Sequence, residues 1–326
     1  RSVTGWVANQ QCAGELQLPL NDYGLTAIGY VPSDKGFSGI ATSLGHAPVP
    51  GLIDPAAGSR LSIAEALTNL VFVALENGLR DVSLSANWMW PCRNRGEDAR
   101  LYRAVQAASD FAISLGINIP TGKDSLSMTQ KYPDGTKVLS PGTVIISTVA
   151  PVPDVRTRVR PVMDLSDPDS ALLYIDLSGR TDGPCHLGGS ALAQCLGKIG
   201  TDCPDVEDIP AFQRGFAAVQ ALIEQGMVLA GHDVSAGGLL TCLLEMCFAN
   251  VRGGIRLKDH VLEDIAGADR VAALFSEYPG VVLQIRSHRI REALGLLLRD
   301  NVKTWVLGAP SQDRSIAVDR TLSFDI

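Results

Sequence analysis

The sequence predicts a two-domain protein of the α+β or α/β class, and three observations carry that expectation. The second half alternates β-branched or apolar runs with helix-length amphipathic segments, the pattern of a layered domain. Residues 151–168 mix proline, arginine and aspartate without periodicity, which reads as a join between domains 1–157 and 158–326. The chain has 326 residues, 46% of them hydrophobic, enough for about two cores.

In order, residues 1–18 give weak signals. Residues 22–30 read as a strand, Ser33-Asp34-Lys35-Gly36 as a turn and 39–45 as a partner strand. Prolines at 48, 50 and 55 make 46–55 a loop. A helix is expected over 59–77, with Gly78 as its stop and Ile63, Leu67, Leu70, Val71 and Ala74 facing the core. Glu65 and Asn69 lie four apart, on one face, where they form either a solvated polar stripe or a pair able to reach one ion. A strand over 81–90 ends in the aromatic run Asn87-Trp88-Met89-Trp90. A second helix covers 97–115 and stops at Gly116. Residues 120–128 then place Lys123, Asp124 and Ser125 beside Gly122. That is either the chemistry of a phosphate-contacting loop or an ordinary turn; it is not a Walker A loop. Tyr132-Pro133-Asp134-Gly135-Thr136 is a hairpin turn, and 143–149 a β-branched strand.

Beyond the join, a strand is expected at 171–177, a helix opening at Leu187-Gly188-Gly189-Ser190, a helix over 211–225, strands at 254–257, 280–285 and 304–307, and a helix over 290–298. The stretch Gly231-His232-Asp233-Val234-Ser235-Ala236-Gly237-Gly238-Leu239 joins a buried strand, 227–230, to an apolar helix, 239–247. Free N–H groups and glycines at a helix start suit a phosphate, and Asp233 suits a magnesium bridging it. The plainer reading makes Ser235 an N-cap and Asp233 a turn residue.

Composition excludes several classes. The net charge is −7 with no long basic run, which argues against a nucleic-acid surface. No run of about 18 apolar residues occurs, so no membrane span is expected. The seven cysteines form no Cys-x-x-Cys pair, so neither a zinc site nor a disulfide framework is expected, and a reducing cytoplasm fits. A chain that starts at Arg1 without a signal pattern reads as part of something longer.

Taken together, Ala64-Glu65-Ala66-Leu67-Thr68-Asn69, Gly122-Lys123-Asp124-Ser125-Leu126-Ser127-Met128, Leu187-Gly188-Gly189-Ser190-Ala191-Leu192-Ala193-Gln194 and His232-Asp233-Val234-Ser235-Ala236-Gly237-Gly238-Leu239 occur in one order. With the opening Ser2-Val3-Thr4-Gly5 and the late Leu274-Phe275-Ser276-Glu277, this resembles the long, single-chain phosphoribosylformylglycinamidine synthases across nearly the whole chain. The resemblance implies the second of two pseudo-symmetric halves, each with the N- and C-terminal domains of the aminoimidazole ribonucleotide synthetase superfamily. It implies an ATP-dependent ligase of purine biosynthesis that converts formylglycinamide ribonucleotide to the amidine with ammonia from glutamine. It further implies an auxiliary Mg2+–ADP site with Asp22, Glu65, Asn69 and Asp233 as metal ligands. Ser235, Gly237 and Gly238 would contact the nucleotide, as would Asn21, where the resemblance implies alanine. Lys123, Asp124 and Ser125 would reach across to the catalytic ATP site of the first half. No cysteine has the setting of a glutaminase nucleophile, so the first half and a glutaminase domain are the implied partners, with a homodimer for the chain alone. Crowded carboxylates predict a strained metal site when empty. Two other readings are a free-standing relative, such as aminoimidazole ribonucleotide synthetase or selenophosphate synthetase, and a purely structural nucleotide-holding module.

Overall fold

The computed structural model describes residues 5–326 except 30, 31, 33, 35, 167, 168, 182, 259 and 319–321. The expected opening Ser2-Val3-Thr4, the Ser33 and Lys35 positions of the first turn and the end of the strand at Tyr30 lie outside the described residues.

The first sheet has the order β1-β2-β3-β8-β4-β5. Its members are β1 (Val7–Asn9), β2 (Gly24–Ala27), β3 (Gly39–His46), β4 (Ser83–Met89), β5 (Asn118–Ser125) and β8 (Thr143–Val152), with β6 (Thr129–Lys131) and β7 (Lys137–Leu139) forming a separate hairpin. The helices are α1 (Pro48–Ile53), α2 (Pro55–Leu70) and α3 (Glu97–Leu115). Strand β3 alternates strictly, Gly39, Ala41, Ser43 and Gly45 inward and Ile40, Thr42, Leu44 and His46 outward, the period of a sheet with one covered face. Helix α2 lies on the inner face so closely that a Cβ on Gly45 would strike its backbone at Ser62 and Ala66.

Three expected elements differ. Residues 46–55 are not a loop: Pro48 stands at the start of α1, where its missing N–H costs nothing, and Asp54 caps α2 by accepting the Ala56 N–H at 2.8 Å. Helix α2 ends at Leu70, seven residues early. The buried segment Val71-Phe72-Val73 leaves the helix to bridge to Arg158 and to bond to Gln220. Residues 118–125 are strand rather than loop, parallel to β4 and at the sheet's edge.

The second sheet has the order β10-β12-β9-β13-β11-β14-β15, from β9 (Ser170–Asp176), β10 (Val228–Val234), β11 (Gly254–Leu257), β12 (Gly280–Arg286), β13 (Thr304–Ser311), β14 (Ser315–Ala317) and β15 (Ser323–Asp325). Its helices are α4 (Ala191–Cys195), α5 (Ile209–Glu224), α6 (Gly238–Phe248), α7 (Val261–Ala266), α8 (Arg270–Phe275) and α9 (Ile290–Arg299). Every residue of β9 is buried, because both faces are covered. Leu172, Tyr174 and Val282 meet the α6–α8 layer. Leu173, Ile175, Val281 and Leu283 meet the α5–α9 layer, and this second cluster runs on without a break into the core of the first domain through Phe212, Phe111, Leu67 and Ile146. Phe111 and Phe212 meet edge-to-face at 5.8 Å across that junction.

Candidate functional site

The junction between the sheets is polar at one end. The arm before β2 is strapped onto the second domain: Leu16 N–H donates to Ala249 O at 3.0 Å, and Val251 N–H to the Glu15 carboxylate at 3.1 Å. The strap delivers Asp22 to the side of β10. There Asp22 Oδ1 lies 2.7 Å from His232 Nδ1, Asp233 Oδ1 lies 3.6 Å from the same nitrogen, and His232 Nε2 lies 2.9 Å from Glu245 Oε2 on α6. The side chains of Asp22 and Asp233 are 2% and 3% exposed. Among the described residues, Asp22, His232 and Asp233 form the close group able to hold a metal ion.

A buried carboxylate oxygen without a partner is costly. Asp22 Oδ2 and Asp233 Oδ2 are both buried and both without a hydrogen-bond partner. Burial pushes the Asp22 carboxyl up, against the pull of His232, and pushes Asp233 up to about 7, with the Asp22 charge adding to it. Burial opposes the imidazolium of His232, but the neighbouring carboxylates, Asp22 foremost, outweigh it and hold its pKa well above the usual range. The imidazole of His232 thus lies against both crowded carboxylates, and each still keeps one buried oxygen without a partner. Two orphan oxygens of hard donors fit a magnesium ion.

Beside this group opens a cavity of about 270 Å³, lined among others by Glu65 and Thr68 of α2, Ser235 beyond β10, Gly189, Gln194 and Glu277. Burial raises the Glu65 carboxyl to about 8, with Asp233 and Glu277 adding to it. Glu65 is outside the close group but on the wall beside it. Asn69, one turn on, donates to Leu44 O at 3.1 Å. Asn21 donates from Nδ2 to Gln10 O, and its Oδ1 is buried without a partner.

The plainer reading of the strand-to-helix turn does not hold. Asp233 sits at the end of β10, next to its last residue, and Ser235 does not cap α6, whose N-cap is Gly237 in the left-handed region. The Ser235 side chain is left to the cavity, while its carbonyl accepts the Gly238 N–H at 3.0 Å. Nor are the glycine amides free for a phosphate: Gly237 N–H donates to Glu277 Oε1 at 2.7 Å. The same oxygen accepts the Ala191 N–H at 2.7 Å. Glycine is required at 237 and 238 for another reason. Both have positive φ, and a Cβ would strike Thr241 at the first and the end of α8 at the second.

Residues 1–151 match the family described as FGAR-AT PurM_N-like domain, and residues 177–319 match the C-terminal domain of AIR synthase related proteins. The chain is 42% identical over 310 residues to the probable phosphoribosylformylglycinamidine synthase, chloroplastic/mitochondrial, of Arabidopsis thaliana. It is 43% identical over 296 residues to the Homo sapiens phosphoribosylformylglycinamidine synthase. These alignments cover 94% and 90% of this chain. The chain resembles the phosphoribosylformylglycinamidine synthases over nine-tenths of its length. It spans 21% of the length of each of those relatives. Its fold is similar to that of T. maritima PurL complexed with FGAR, with a TM-score of 0.68 at 13% identity, over 99% of this chain and 47% of that one. Hydrogenase maturation protein HypE in complex with ATP is similar over 89% of this chain and 83% of its own, with a TM-score of 0.58 at 15% identity.

The remaining expected residues fall elsewhere. Lys123 and Asp124 are exposed on β5, at the opposite edge of the first sheet from β2, and Lys123 Nζ donates to Ser125 Oγ at 2.7 Å. The structure does not bring this trio to the Asp22–Asp233 group. Three residues of the site escape sequence reasoning: His232, Glu245 and Glu277. The signal for Glu245 is a lone carboxylate in the otherwise apolar run Leu239-Leu240-Thr241-Cys242-Leu243-Leu244-Glu245-Met246-Cys247. His232 and Glu277 stand inside motifs whose neighbours drew the attention.

Proposed function

We propose that this chain is the magnesium–nucleotide-holding part of a phosphoribosylformylglycinamidine synthase. The observation that carries the reading is the pair of unpartnered, buried carboxylate oxygens on Asp22 and Asp233, one from each domain, beside a cavity walled by Glu65 and Ser235. Asp22, Glu65, Asn69 and Asp233 would hold Mg2+, and Ser235 and Asn21 the nucleotide. A bound magnesium supplies positive charge that offsets the polyphosphate. Gly237 and Gly238 shape the turn and offer no free amide, so they are left out of the contact set. The strap at Glu15 and Leu16 and the shared apolar core hold the two domains together and so bring Asp22 beside Asp233. A nucleotide bound there would stabilise the pairing of the domains, the behaviour of an auxiliary ADP site that stabilises without turning over.

In the whole synthase the reaction is the ATP-dependent conversion of formylglycinamide ribonucleotide to its amidine. The first half of the core and a glutaminase domain are the partners, and Lys123, Asp124 and Ser125 face the first half. Alone, the chain makes no amidine and dimerises through the open face of its first sheet. All seven cysteines are free, and a cytoplasmic setting is part of this proposal. No helix among the described residues is long and apolar enough to cross a membrane.

The test is a melting curve with and without Mg2+–ADP. The nucleotide should raise the melting temperature, and Asp233→Asn, nearly isosteric, should remove most of the rise while the metal-free protein melts as a folded chain. An unchanged Mg2+–ADP shift in Asp233→Asn would overturn the ligand assignment.

A further inference from the structure

The proposed ligands leave one group unused. His232 is 6% exposed and lies between a carboxylate at each ring nitrogen, Asp22 Oδ1 at 2.7 Å and Glu245 Oε2 at 2.9 Å. We infer that His232, oriented by Glu245, is a positioning residue that fixes Asp22 of the first domain beside Asp233 of the second, so that both present a free carboxylate oxygen to one divalent cation. The inference rests on the reading of Asp22 and Asp233 as cation ligands.

The geometry argues as follows. An imidazole is flat and carries its two nitrogens on opposite sides of one rigid ring, so fixing one side fixes the direction of the other. Glu245 fixes the outer side. It projects from α6, a helix otherwise buried along its apolar face, and that helix is tied to the same strand residue by Cys242 Sγ against His232 O at 3.7 Å. The inner side then meets Asp22 Oδ1 at 2.7 Å, ahead of Asp233 Oδ1 at 3.6 Å. With Oδ1 held in that ion-pair contact, Oδ2 is the atom left over; neither it nor His232 Nδ1 has a hydrogen-bond partner. Asp233 needs no such device, because the β10–β12 ladder holds its backbone opposite Val281. Asp22 does need one, because it precedes β2 in irregular chain. The Nδ1–Oδ1 contact of 2.7 Å is an ion pair. With each ring nitrogen set against a carboxylate, at 2.7 and 2.9 Å, His232 stands behind the ligands rather than among them. Outer groups of this kind are worth about ten- to hundredfold in metal affinity.

The test titrates Mn2+ alone into the full chain, with affinity read by calorimetry and the bound ion by pulsed electron paramagnetic resonance. The wild type should bind, and Asp233→Asn should bind more weakly. Glu245→Leu, similar in bulk, should lose about ten- to hundredfold in affinity, while Glu245→Gln, which keeps an oxygen to receive the Nε2–H, should retain most of it. A merely structural Glu245 would show no such rescue tied to Mn2+. The spectrum should contain no directly coordinated imidazole nitrogen. If Glu245→Leu does not fold, His232→Gln replaces it and should show the same loss. Wild-type affinity in the folded Glu245→Leu or His232→Gln protein, or a directly coordinated nitrogen, overturns the positioning role while leaving the ligands standing. No Mn2+ binding by the wild type, or binding unaffected by Asp233→Asn, removes the ligand reading and this inference with it.

Discussion

Glu277 Oε1 receives two backbone N–H groups, from Ala191 and Gly237, each at 2.7 Å. One carboxylate thus ties the Leu187–Gln194 motif to the turn after β10. Removing it strands two donors, at about 1–3 kcal/mol for a buried one and less beside a wet cavity. Glu277→Ala should lower unfolding stability by about 2 kcal/mol in urea, and Glu277→Gln, which keeps an acceptor oxygen, by less. A second residue-scale expectation concerns acid. The Arg156 guanidinium, hydrogen-bonded at Asp154, holds that carboxyl below its usual 3.8. A depressed carboxylate adds stability that is full above its unfolded pKa and is lost as pH falls through its lower folded value. Asp154→Asn should therefore melt slightly below wild type at pH 7, by under about 1 kcal/mol of stability, and the two melting curves should converge as pH drops well below 3.8. At this scale Asp233 stood in one of the ordered motifs, while Asp22 stood in none and came only with the family resemblance. The occupied amide of Gly237 was not readable, because its partner Glu277 is forty residues away and nothing local to Gly237 announces it.

At the scale of elements, the ends of helices were the hardest to read, and α2 shows why. Its apolar spacing continues through Val71 and Ala74, so periodicity alone carries the helix to Asn77. What stops it is Gln220 on α5. Its side-chain amide donates to Val71 O at 2.5 Å and Val73 O at 2.9 Å, and its oxygen accepts the Leu75 N–H at 2.8 Å. One buried side chain replaces the ladder that a strand partner would supply. Gln220→Leu keeps the bulk and abandons three backbone groups. It should cost about 3 kcal/mol or more in chemical denaturation, a large value for an apolar replacement. Helix α3 was legible to the residue, 97–115, because Gly116 ends it in the left-handed region (φ 72°) and no distant group intervenes. Strand β10 runs past the apolar stretch through His232 and Asp233, since a ladder to β12 continues whatever the side chains are.

At the scale of the molecule, the first sheet has one covered face and one open one. On the open face Ile40, Leu44 and Val149 stand on adjacent strands at 42%, 59% and 44% exposure. An apolar sheet face of this kind invites a second copy. Light scattering at high concentration should report twice the chain's 34.6 kDa, and Leu44→Lys should return the monomer. A wild type that stays at the single-chain mass would remove the dimer reading.

The unbroken cluster from Ile146 and Phe111 through Phe212 to Val281 has a practical consequence. The two sheets separate cleanly on paper between Val152 and Ser170, and a protein engineer would cut there to express each part alone. Each fragment would then present half of a common interior to water, and Gln220 would leave with the wrong piece. Such halves should be insoluble when made separately and should recover when made together. The chain would then serve as a split reporter whose reassembly is driven by apolar complementarity.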